Sequence, residues 1–481
     1  MNFIPTIGLE VHAQLKTNTK LFCRCKNQFG LDPNSATCPV CLGMPGALPT
    51  LNKKAVEAAI KAGLSLNCTI ETKSVFARKN YFYPDLPKGY QISQFEYPIC
   101  TKGSLTVPLG KVRVTRIHME EDAGKLLHGD SVVNKGSGSL VDLNRSGVPL
   151  IEIVSEPDIH TPEQAVEYLK ALRDILTYID VCDGNMDEGS LRCDANVSIR
   201  PEGTTKLGTR VEIKNINSFK FVQRAIEFEM ERQAQVIESG EKIVQETRLW
   251  NPDKMVTVSM RSKEEANDYR YFPEPDLQPL VLDTKWIEEI RGMLPELPEQ
   301  RKNGYIEKYG LPEYDAAVIT SSKDISNYFE QTLEHYGAKD QAKIKKLSNV
   351  LMSEVLRLVN EHNTSIDQIK ITPEYFSQLL KLIDAGTISG KIAKDVLDEV
   401  AQTGNSPQSV IEKKGLSQIS NTDEIRKTIQ KIIQNNPSQA QDYKNGKEKL
   451  FGFFVGQAMK ETQGKANPAM VNDILREELK K

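Results

Sequence analysis

Apolar and polar side chains alternate along residues 7–15, and a period of two predicts a β-strand with one buried face. One face is apolar and comprises Leu9, Val11, Ala13 and Leu15. The other is polar and comprises Glu10, His12 and Gln14. Same-face neighbours lie ~7 Å apart, so Glu10 and His12 could share an ion or a phosphate. A half-buried strand with a solvated polar face is the alternative interpretation.

Other segments repeat this design. Residues 191–200 alternate and put Arg192 and Asp194 on one polar face, and a further short run puts Glu212 beside Lys214. These patterns predict several strands of one sheet, each with charged side chains on the same face.

Acidic residues also occur within or beside apolar strands. Glu152 lies in the apolar run 149–154, where an unpaired carboxylate would be costly, and three acids occupy positions 120–122. A sheet with several acidic strands can hold Mg²⁺, which prefers oxygen ligands, together with a nucleoside triphosphate. The chain contains no GxxxxGK[ST] loop, so phosphates would have to be bound by metal and by separate cations.

A helix is predicted at residues 161–179. Thr161 is a suitable N-cap, Pro162 fits the first turn and Gln164 completes a capping box. Its apolar stripe consists of Ala165, Leu169, Leu172, Leu176 and Ile179. Strands interrupted by helices in this way favour an α+β fold for the first part of the chain.

The 481 residues suggest about three domains. Residues 1–293 mix strand and helix patterns, residues 294–404 have helical patterns after a proline-rich break, and residues 405–481 follow a Gly–Asn–Ser–Pro break. This last region carries 13 lysines and arginines against 9 acidic residues. It predicts a helical tail that binds an RNA backbone, although a solvated helical bundle would have the same composition. Its candidate lysines are Lys444, Lys447, Lys449, Lys460 and Lys465.

Composition narrows the class of protein. The chain is 39% hydrophobic and 26% charged, which is typical of a protein with a real core. No apolar run approaches the ~20 residues that cross a bilayer, and the N-terminus has no signal-peptide pattern, so a membrane or secreted protein is not expected. The net charge of −3 argues against a basic nucleic-acid coat. A cytoplasmic protein is the expectation.

Four of the eight cysteines are clustered as Cys23-x-Cys25 and, after twelve residues, Cys38-x-x-Cys41. Two close pairs can supply the four thiolates of a closed, tetrahedral Zn²⁺ site. A redox pair is the alternative, but it would leave the second pair without a role. The other four cysteines are spread along the chain and are expected to be buried apolar residues.

Residues 78–90 and 268–276 mix basic and aromatic side chains, a combination that suits an unpaired nucleotide end or, equally, loop packing around prolines. Two hypotheses follow from the residues. One is an enzyme that uses ATP and Mg²⁺ on an acidic sheet face to activate a carboxylate. The other is a non-catalytic RNA-binding scaffold with a structural zinc and a helical tail. ATP hydrolysis that depends on Glu10 or His12 would distinguish them.

The sequence closely resembles the B subunits of bacterial glutamyl-/aspartyl-tRNA amidotransferases, essentially from end to end. The matching blocks are Gly8–His12, Cys38–Gly46, Arg78–Asp85, Tyr90–Gln94, His118–Lys125, Val148–Val154, Gly189–Asn196 and Asp268–Asp276. The resemblance implies a cradle domain similar to glutamine synthetase, then a helical domain and a small helical tail. It also implies a cytoplasmic heterotrimer with an amidase (A) subunit that releases ammonia from glutamine and a small C subunit that holds the complex together.

The activity implied by the resemblance is that of a carbon–nitrogen ligase. The cradle would phosphorylate the side-chain carboxylate of Glu-tRNA(Gln) or Asp-tRNA(Asn), and ammonia would then displace the phosphate. For Mg²⁺ the expected ligands are Glu10, His12, Glu121 and Glu152, with Glu121 preferred to Glu120. Lys79 and Arg192 are expected to contact phosphate. Weaker candidates for nucleotide or metal binding are Asp194, Glu212 and Lys214.

Overall fold

A computed structural model describes residues 2–127, 139–262, 269–416, 422–462, 466 and 468–480. The chain divides into two compact units, residues 1–297 and residues 298–481. The first unit contains all the described strands together with four helices, whereas the described part of the second unit is helical.

The strands of the first unit are β1 Phe3–Gln14, β2 Thr69–Ile70, β3 Lys73–Ser74, β4 Phe76–Asn80, β5 Tyr90–Gln94, β6 Cys100–Val107, β7 Gly110–Glu121, β8 Lys125–Leu127, β9 Leu140–Asp142, β10 Pro149–Ser155, β11 Leu191–Pro201, β12 Val211–Ile216, β13 Glu246–Asn251, β14 Val256–Ser262, β15 Phe272–Pro273 and β16 Leu280–Val281. Ten of them form the main path of a large sheet in the order β14-β13-β12-β11-β1-β10-β7-β5-β4-β15, and β6 joins β7 to β2. All pairings in this sheet are antiparallel except that of β12 with β13.

The first unit has helices α1 Lys53–Ser65, α2 Pro162–Tyr178, α3 Phe219–Glu238 and α4 Thr284–Met293. Thr161 accepts a hydrogen bond from the backbone N–H of Gln164, and Pro162 opens the first turn of α2, so the predicted helix and its cap are confirmed. Helices α1, α2 and α3 pack against strands of the sheet. The apolar faces of β1 and β11 point into this core, with Leu9, Val11 and Ala195 fully buried. The opposite face of β1, which carries Glu10, His12 and Gln14, points away from this core and could bind a ligand.

The second unit is built from α5 Pro298–Tyr309, α6 Glu313–Ile319, α7 Lys323–Tyr336, α8 Gln341–Val350, a π-helical turn Leu351–Val355, α9 Leu356–Glu361, α10 Pro373–Asp384, α11 Gly390–Thr403, α12 Pro407–Lys414, α13 Thr422–Asn435, α14 Pro437–Lys444, α15 Leu450–Glu461 and α16 Pro468–Lys480. None of the described helices is both long enough and apolar enough to cross a membrane.

The described hydrophobic side chains form three separate clusters, spanning residues 7–290, 305–411 and 425–479. The second includes Val410 and Ile411 of α12, so its core continues past residue 404. A large sheet with many helices agrees with the expected mixture of α and β structure. The division at residues 293 and 404 stays a prediction. Of the tail lysines, Lys465 lies outside the described residues.

Candidate active site

Three adjacent strands bring the central polar residues together. His12 of β1 lies directly opposite Glu152 of β10 and Arg192 of β11. On the far side of β10, Glu152 lies directly opposite His118 of β7. Directly opposite residues point to the same face of a sheet with Cβ atoms ~4.5–5.5 Å apart. The register therefore places side chains from β1, β10 and β7 in one cluster.

The cluster consists of two imidazoles and two carboxylates. The Nε2 atom of His12 lies 3.3 Å from a Glu152 carboxylate oxygen and 4.0 Å from Glu120. The Nε2 atom of His118 lies 3.3 Å from Glu152 and 3.8 Å from Glu120. Ligand atoms of His12, Glu120 and Glu152 all lie within 4.8 Å of one another. One nitrogen and two oxygen donors at this spacing could hold a divalent cation, and oxygen donors are those that Mg²⁺ prefers.

These four groups shift one another's pKa. Burial lowers the pKa of His118, but Glu152 and Glu120 outweigh it and raise that pKa to about 9. The pKa of His12 is also raised, because the contact with Glu152 outweighs burial. Conversely, burial raises the pKa of Glu152, but the two histidines hold it well below its ordinary value. The carboxylates are thus held ionised at neutral pH.

Glu121, which we expected in this cluster, lies on the other face of β7. Its carboxylate pairs with the Lys88 ammonium and accepts a hydrogen bond from the backbone N–H of Ile92 at 3.0 Å. Glu120 takes the expected position instead. The reason is the period of two: Glu120 shares a face with His118, whereas Glu121 shares one with Met119, which is fully buried in the core. The apolar neighbours of Glu121 were the sequence signal for this arrangement.

A cavity of about 380 Å³ lies over the cluster. Of the expected residues, it brings together Glu10, His12, Lys79, Glu152, Glu212 and Lys214. The lining residues that sequence reasoning missed are Gln94, Phe95, Arg116, His118, Arg210, Gln245, Glu246 and Thr247. Gln94 belongs to a block that the family resemblance already contained, but Arg210 lies just before β12 and carries no periodic signal.

Two cationic side chains of the cavity, Lys79 and Arg210, have neither an ion-pair nor a hydrogen-bond partner among the residues that the structure describes. Burial lowers the pKa of Lys79, but nearby Glu120 contributes most to raising it above its ordinary value. Its ammonium also lies 4.9 Å from the centre of the Tyr269 ring. Arg78, one residue earlier, faces away and donates two hydrogen bonds to Glu274 at 2.7 and 2.8 Å. Lys79 and Arg210 therefore keep their charge available for an anion.

Charged residues beside Glu10 neutralise one another. The Lys214 ammonium lies 2.6 Å from Asp194 and 2.8 Å from Glu212, and these carboxylates raise its pKa although burial lowers it. Burial is the main reason that the pKa of Glu10 is raised, and a 2.8 Å hydrogen bond from the Asn196 amide counteracts it. Asp194 does not line the cavity and serves as the partner of Lys214.

Arg192, like Glu121 and Asp194, is an expected residue that is not part of the cavity lining. Its guanidinium donates a 2.9 Å hydrogen bond to Asp122, and this buried carboxylate is the main cause of the raised pKa of Arg192. The side chain of Gln14 donates to the same Asp122 at 2.8 Å. Arg192 lies opposite His12 and therefore on the polar face of the sheet, as predicted. Its guanidinium pairs with Asp122 and does not line the cavity.

Aromatic side chains border the cavity. Phe95 and Tyr271 stack with ring centres 4.1 Å apart and planes 4° apart, and Tyr269 packs edge-on against Tyr271. Tyr81 packs edge-on against Tyr269 with ring centres 5.9 Å apart, so both predicted basic–aromatic blocks contribute rings to one region of the first unit. Phe82 is 88% exposed, which is unusual for a side chain of this size. Asp268, the first residue of the second block, lies outside the described residues.

Cys23, Cys25, Cys38 and Cys41 form the second cluster, with all four sulfur atoms within 4.8 Å of one another. The donor set fits Zn²⁺, because four sulfur ligands in one group match a closed tetrahedral site. The Cys23 thiol, the Cys38 backbone amide and nearby Lys20 lower the pKa of Cys41 to about 4 against the effect of burial. The other cysteines, Cys68, Cys100, Cys182 and Cys193, are buried as expected.

A polar cavity over ionised carboxylates, with histidines and two available cations, has the chemistry to accept a charged substrate. Known protein families match this chain over most of its length. A family model described as the GatB/GatE catalytic domain matches residues 5–288, and one described as the GatB domain matches residues 327–479. The chain belongs to the GatB family.

Curated relatives match over their full length and over all of this chain. The proteins from Geotalea daltonii, Thermoanaerobacter pseudethanolicus and Geobacter sulfurreducens are 57%, 56% and 56% identical to it. Each is named as the B subunit of an aspartyl/glutamyl-tRNA(Asn/Gln) amidotransferase. The family expected from the sequence blocks is confirmed.

Proposed function

We propose that this chain is the component of a tRNA-dependent amidotransferase that activates the side-chain carboxylate of Glu-tRNA(Gln), Asp-tRNA(Asn) or both. The observation that carries the proposal is the cluster of His12, Glu120 and Glu152. His12 and Glu152 line a cavity that Lys79 and Arg210 also line. The phosphoryl donor and the carboxylate acceptor are both anionic. A divalent cation bound by the ionised carboxylates, together with the available cations, would neutralise their charge.

The chemistry requires two steps. A carboxylate oxygen of the substrate attacks the γ-phosphorus of ATP, the bond from that phosphorus to the β–γ bridging oxygen breaks, and ADP leaves. Ammonia then attacks the carbonyl carbon of the acyl phosphate, inorganic phosphate leaves, and the nitrogen loses a proton to give the amide. The first step matters because a free carboxylate is a poor electrophile and phosphate is a good leaving group.

Phosphoryl transfer depends mainly on positioning and on neutralising charge. His12, Glu120 and Glu152 would hold Mg²⁺, which when bound would neutralise phosphate charge. Glu10 is a further candidate ligand, and Glu212 a weaker one. Lys79 and Arg210 would contact phosphate oxygens directly. Lys214 is a less effective candidate, since two carboxylates already neutralise it.

The remaining parts of the proposal concern partners and architecture. Ammonia would come from an amidase (A) subunit, with a small C subunit completing a cytoplasmic complex. The first unit would correspond to the cradle of the glutamine-synthetase type, and its exposed rings would contact the end of the tRNA by stacking. The lysines of the tail would contact the tRNA backbone. The four cysteines would hold a structural Zn²⁺.

The test uses the complex of this chain with its partner subunits, tRNA charged with glutamate or aspartate, ATP and glutamine. Amidated aminoacyl-tRNA and ADP should form together. The variant His12→Ala should form neither, whereas His335→Ala, which changes an exposed histidine in the helical unit, should behave as the wild type. Formation of amidated tRNA without ATP consumption would contradict the proposal, as would normal ATP consumption by His12→Ala.

A further inference from the structure

The cavity over the cluster has a third cationic side chain, that of Arg116 on β7. Within the described ranges of the chain, no carboxylate forms an ion pair with its guanidinium. Its one side-chain hydrogen bond there runs from Nε to the Nδ1 atom of His118 at 3.4 Å, which is long for such a bond. A guanidinium has five N–H donors, so most of those of Arg116 are available to a ligand.

Arg113, three residues earlier on the same strand, shows the contrast. Its guanidinium donates hydrogen bonds to Asp158 at 2.8 and 2.7 Å, and its side chain is 64% exposed and lies outside the cavity lining. Arg116 is half-buried and lines the cavity without such a partner. Burial of a charge without a counter-ion costs free energy, and an anion in the cavity would offset this cost.

Arg116 lies beside the metal-type cluster but is not part of it. It shares one face of β7 with His118 and Glu120, because residues two apart in a strand point the same way. The Nδ1 atom of His118 faces Arg116, and its Nε2 atom lies 3.3 Å from Glu152. One imidazole ring therefore separates the guanidinium from the carboxylates that we expect to hold Mg²⁺. An anion bound by Arg116 would lie next to the cluster without replacing any of its ligands.

The position of Phe95 connects Arg116 with the aromatic border of the cavity. Strand β5 pairs antiparallel with β7, and Ser93 lies opposite Glu120. The step from Ser93 to Phe95 therefore leads in the direction from Glu120 towards Arg116. Phe95 stacks on Tyr271, and both rings line the cavity. If these rings hold the end of the tRNA, the amino acid attached to that end lies within the same cavity as Arg116.

The proposed reaction brings two kinds of anion into the cavity, the phosphate groups of ATP and the side-chain carboxylate of the substrate. Lys79 and Arg210 are the cations that we assign to phosphate. A planar guanidinium can donate two parallel hydrogen bonds to the two oxygens of a carboxylate. An amide has one oxygen acceptor and no charge, so it cannot replace a carboxylate in this arrangement.

We propose that Arg116 binds the side-chain carboxylate of the glutamyl or aspartyl group on the tRNA, and that it thereby distinguishes the substrate from the amide product. The inference rests on the proposed function, because it needs charged tRNA as the second substrate. It also gives a reason for product release. Once the carboxylate has become an amide, the charged contact with Arg116 is lost.

The experiment uses the full complex and compares one tRNA, tRNA(Gln), charged either with glutamate or with glutamine. The ratio of the two dissociation constants, measured without ATP, isolates the side chain because all contacts with the tRNA are common to both. We expect the wild type to bind the glutamate form about tenfold more tightly or better. In Arg116→Met this preference should disappear. Arg116→Lys keeps the charge but loses the planar pair of donors, so it should retain only part of the preference.

Two controls separate this role from a structural role and from phosphate binding. Arg113→Lys changes an arginine of the same strand outside the cavity, and it should keep the wild-type preference. Lys79→Met should raise the KM for ATP and keep the preference, whereas Arg116→Met should leave the KM for ATP unchanged. Since Arg116 has no carboxylate partner among the described residues, Arg116→Met should also keep the wild-type thermal stability. If that variant does not fold, Arg116→Lys provides the measurement.

A folded Arg116→Met complex with the wild-type preference would overturn the inference, as would a wild type without any preference. A raised KM for ATP with an unchanged preference would also overturn it, because Arg116 would then contact phosphate. In each case His12→Ala would still lack ATP hydrolysis, and the proposed function would stand. Normal ATP hydrolysis by His12→Ala would instead contradict the proposed function itself.

Discussion

The first unit contains two ligand clusters that are built in different ways. His12, Glu120 and Glu152 come from three strands that are distant in sequence, and His12 and Glu152 line an open cavity. The four cysteines come from one segment of 19 residues, 23–41, and their sulfur atoms lie within 4.8 Å of one another. The Cys41 sulfur also accepts hydrogen bonds from the Lys20 ammonium and the Cys38 backbone N–H. A catalytic metal site keeps a position open for substrate, whereas a structural site is closed by four protein ligands.

The difference suggests that the strand cluster should affect turnover and that the cysteine cluster should affect stability. The two clusters also differ in what holds their side chains in place. The sheet holds the first cluster through backbone pairing in register, so its geometry does not depend on a metal. The segment 15–52 has two isolated bridge residues and no named strand or helix, and it therefore needs a further cross-link.

The largest expected effect is on ATP hydrolysis. Glu152→Gln removes the carboxylate that contacts both histidines, and we expect kcat for tRNA-dependent ATP hydrolysis to fall by about 100-fold or more. Glutamine hydrolysis measured with the partner amidase subunit should be unchanged. Glu10→Ala should reduce ATP hydrolysis as well, because Glu10 lines the same cavity. Wild-type turnover in Glu152→Gln would exclude this cluster from the chemistry.

The matching experiment on the cysteines should change stability. Metal analysis of the purified chain should give about one Zn²⁺ per chain, because four clustered thiols form one site. Paired Cys38→Ser and Cys41→Ser should lower the free energy of unfolding by several kcal/mol, since metal-binding energy is also folding energy. The kcat of the folded fraction should be retained. Chain without metal and with unchanged stability would show that the cysteines are ordinary thiols.

Glu120 and Glu121 allow a comparison between adjacent residues. Glu120→Gln should raise the Mg²⁺ concentration needed for half-maximal ATP hydrolysis by about 10-fold or more, as expected for loss of one ligand. Glu121→Gln should leave the Mg²⁺ requirement unchanged. It should instead lower stability by ~3–5 kcal/mol, because it leaves buried Lys88 without its partner. A raised Mg²⁺ requirement in Glu121→Gln, with an unchanged one in Glu120→Gln, would identify Glu121 as the metal ligand instead.

A smaller effect is expected from the available cations. Lys79→Met should raise the KM for ATP about tenfold, because a desolvated contact to a charged group is lost. Arg78→Met is the adjacent control, since Arg78 pairs with Glu274 on the other side of the strand. Its main effect should be on thermal stability. Equal KM values for ATP in Lys79→Met and the wild type would remove Lys79 from phosphate binding.

The smallest effect separates both clusters from tRNA binding. Deletion from residue 422 onward removes the third hydrophobic cluster and leaves Val410 and Ile411 in the second. We expect the KM for charged tRNA to rise a few-fold and its dependence on salt to become flatter, because phosphate contacts are lost. Glutamine hydrolysis without tRNA should not change. Replacing Lys444 and Lys449 by Glu should reproduce the effect, and an unchanged salt dependence would assign the tail another role.

Periodicity determined a large part of the site from the sequence alone. It predicted the polar face of β1 with Glu10 and His12, the charged faces of β11 and β12, and the capped helix α2. The spacing of the four cysteines predicted that their sulfur atoms would meet. These features are local, because a strand or turn sets the direction of its own side chains over a few residues.

Only the tertiary structure decided which of these faces meet. The pairing of β7 with β10 puts His118 opposite Glu152 and brings Glu120, not Glu121, into the cluster. Arg192 has the correct face but pairs with Asp122, and Arg210 reaches the cavity from a segment without periodicity. Strand register and the choice of charge partner depend on contacts between residues distant in sequence, and a single chain's local pattern does not contain them.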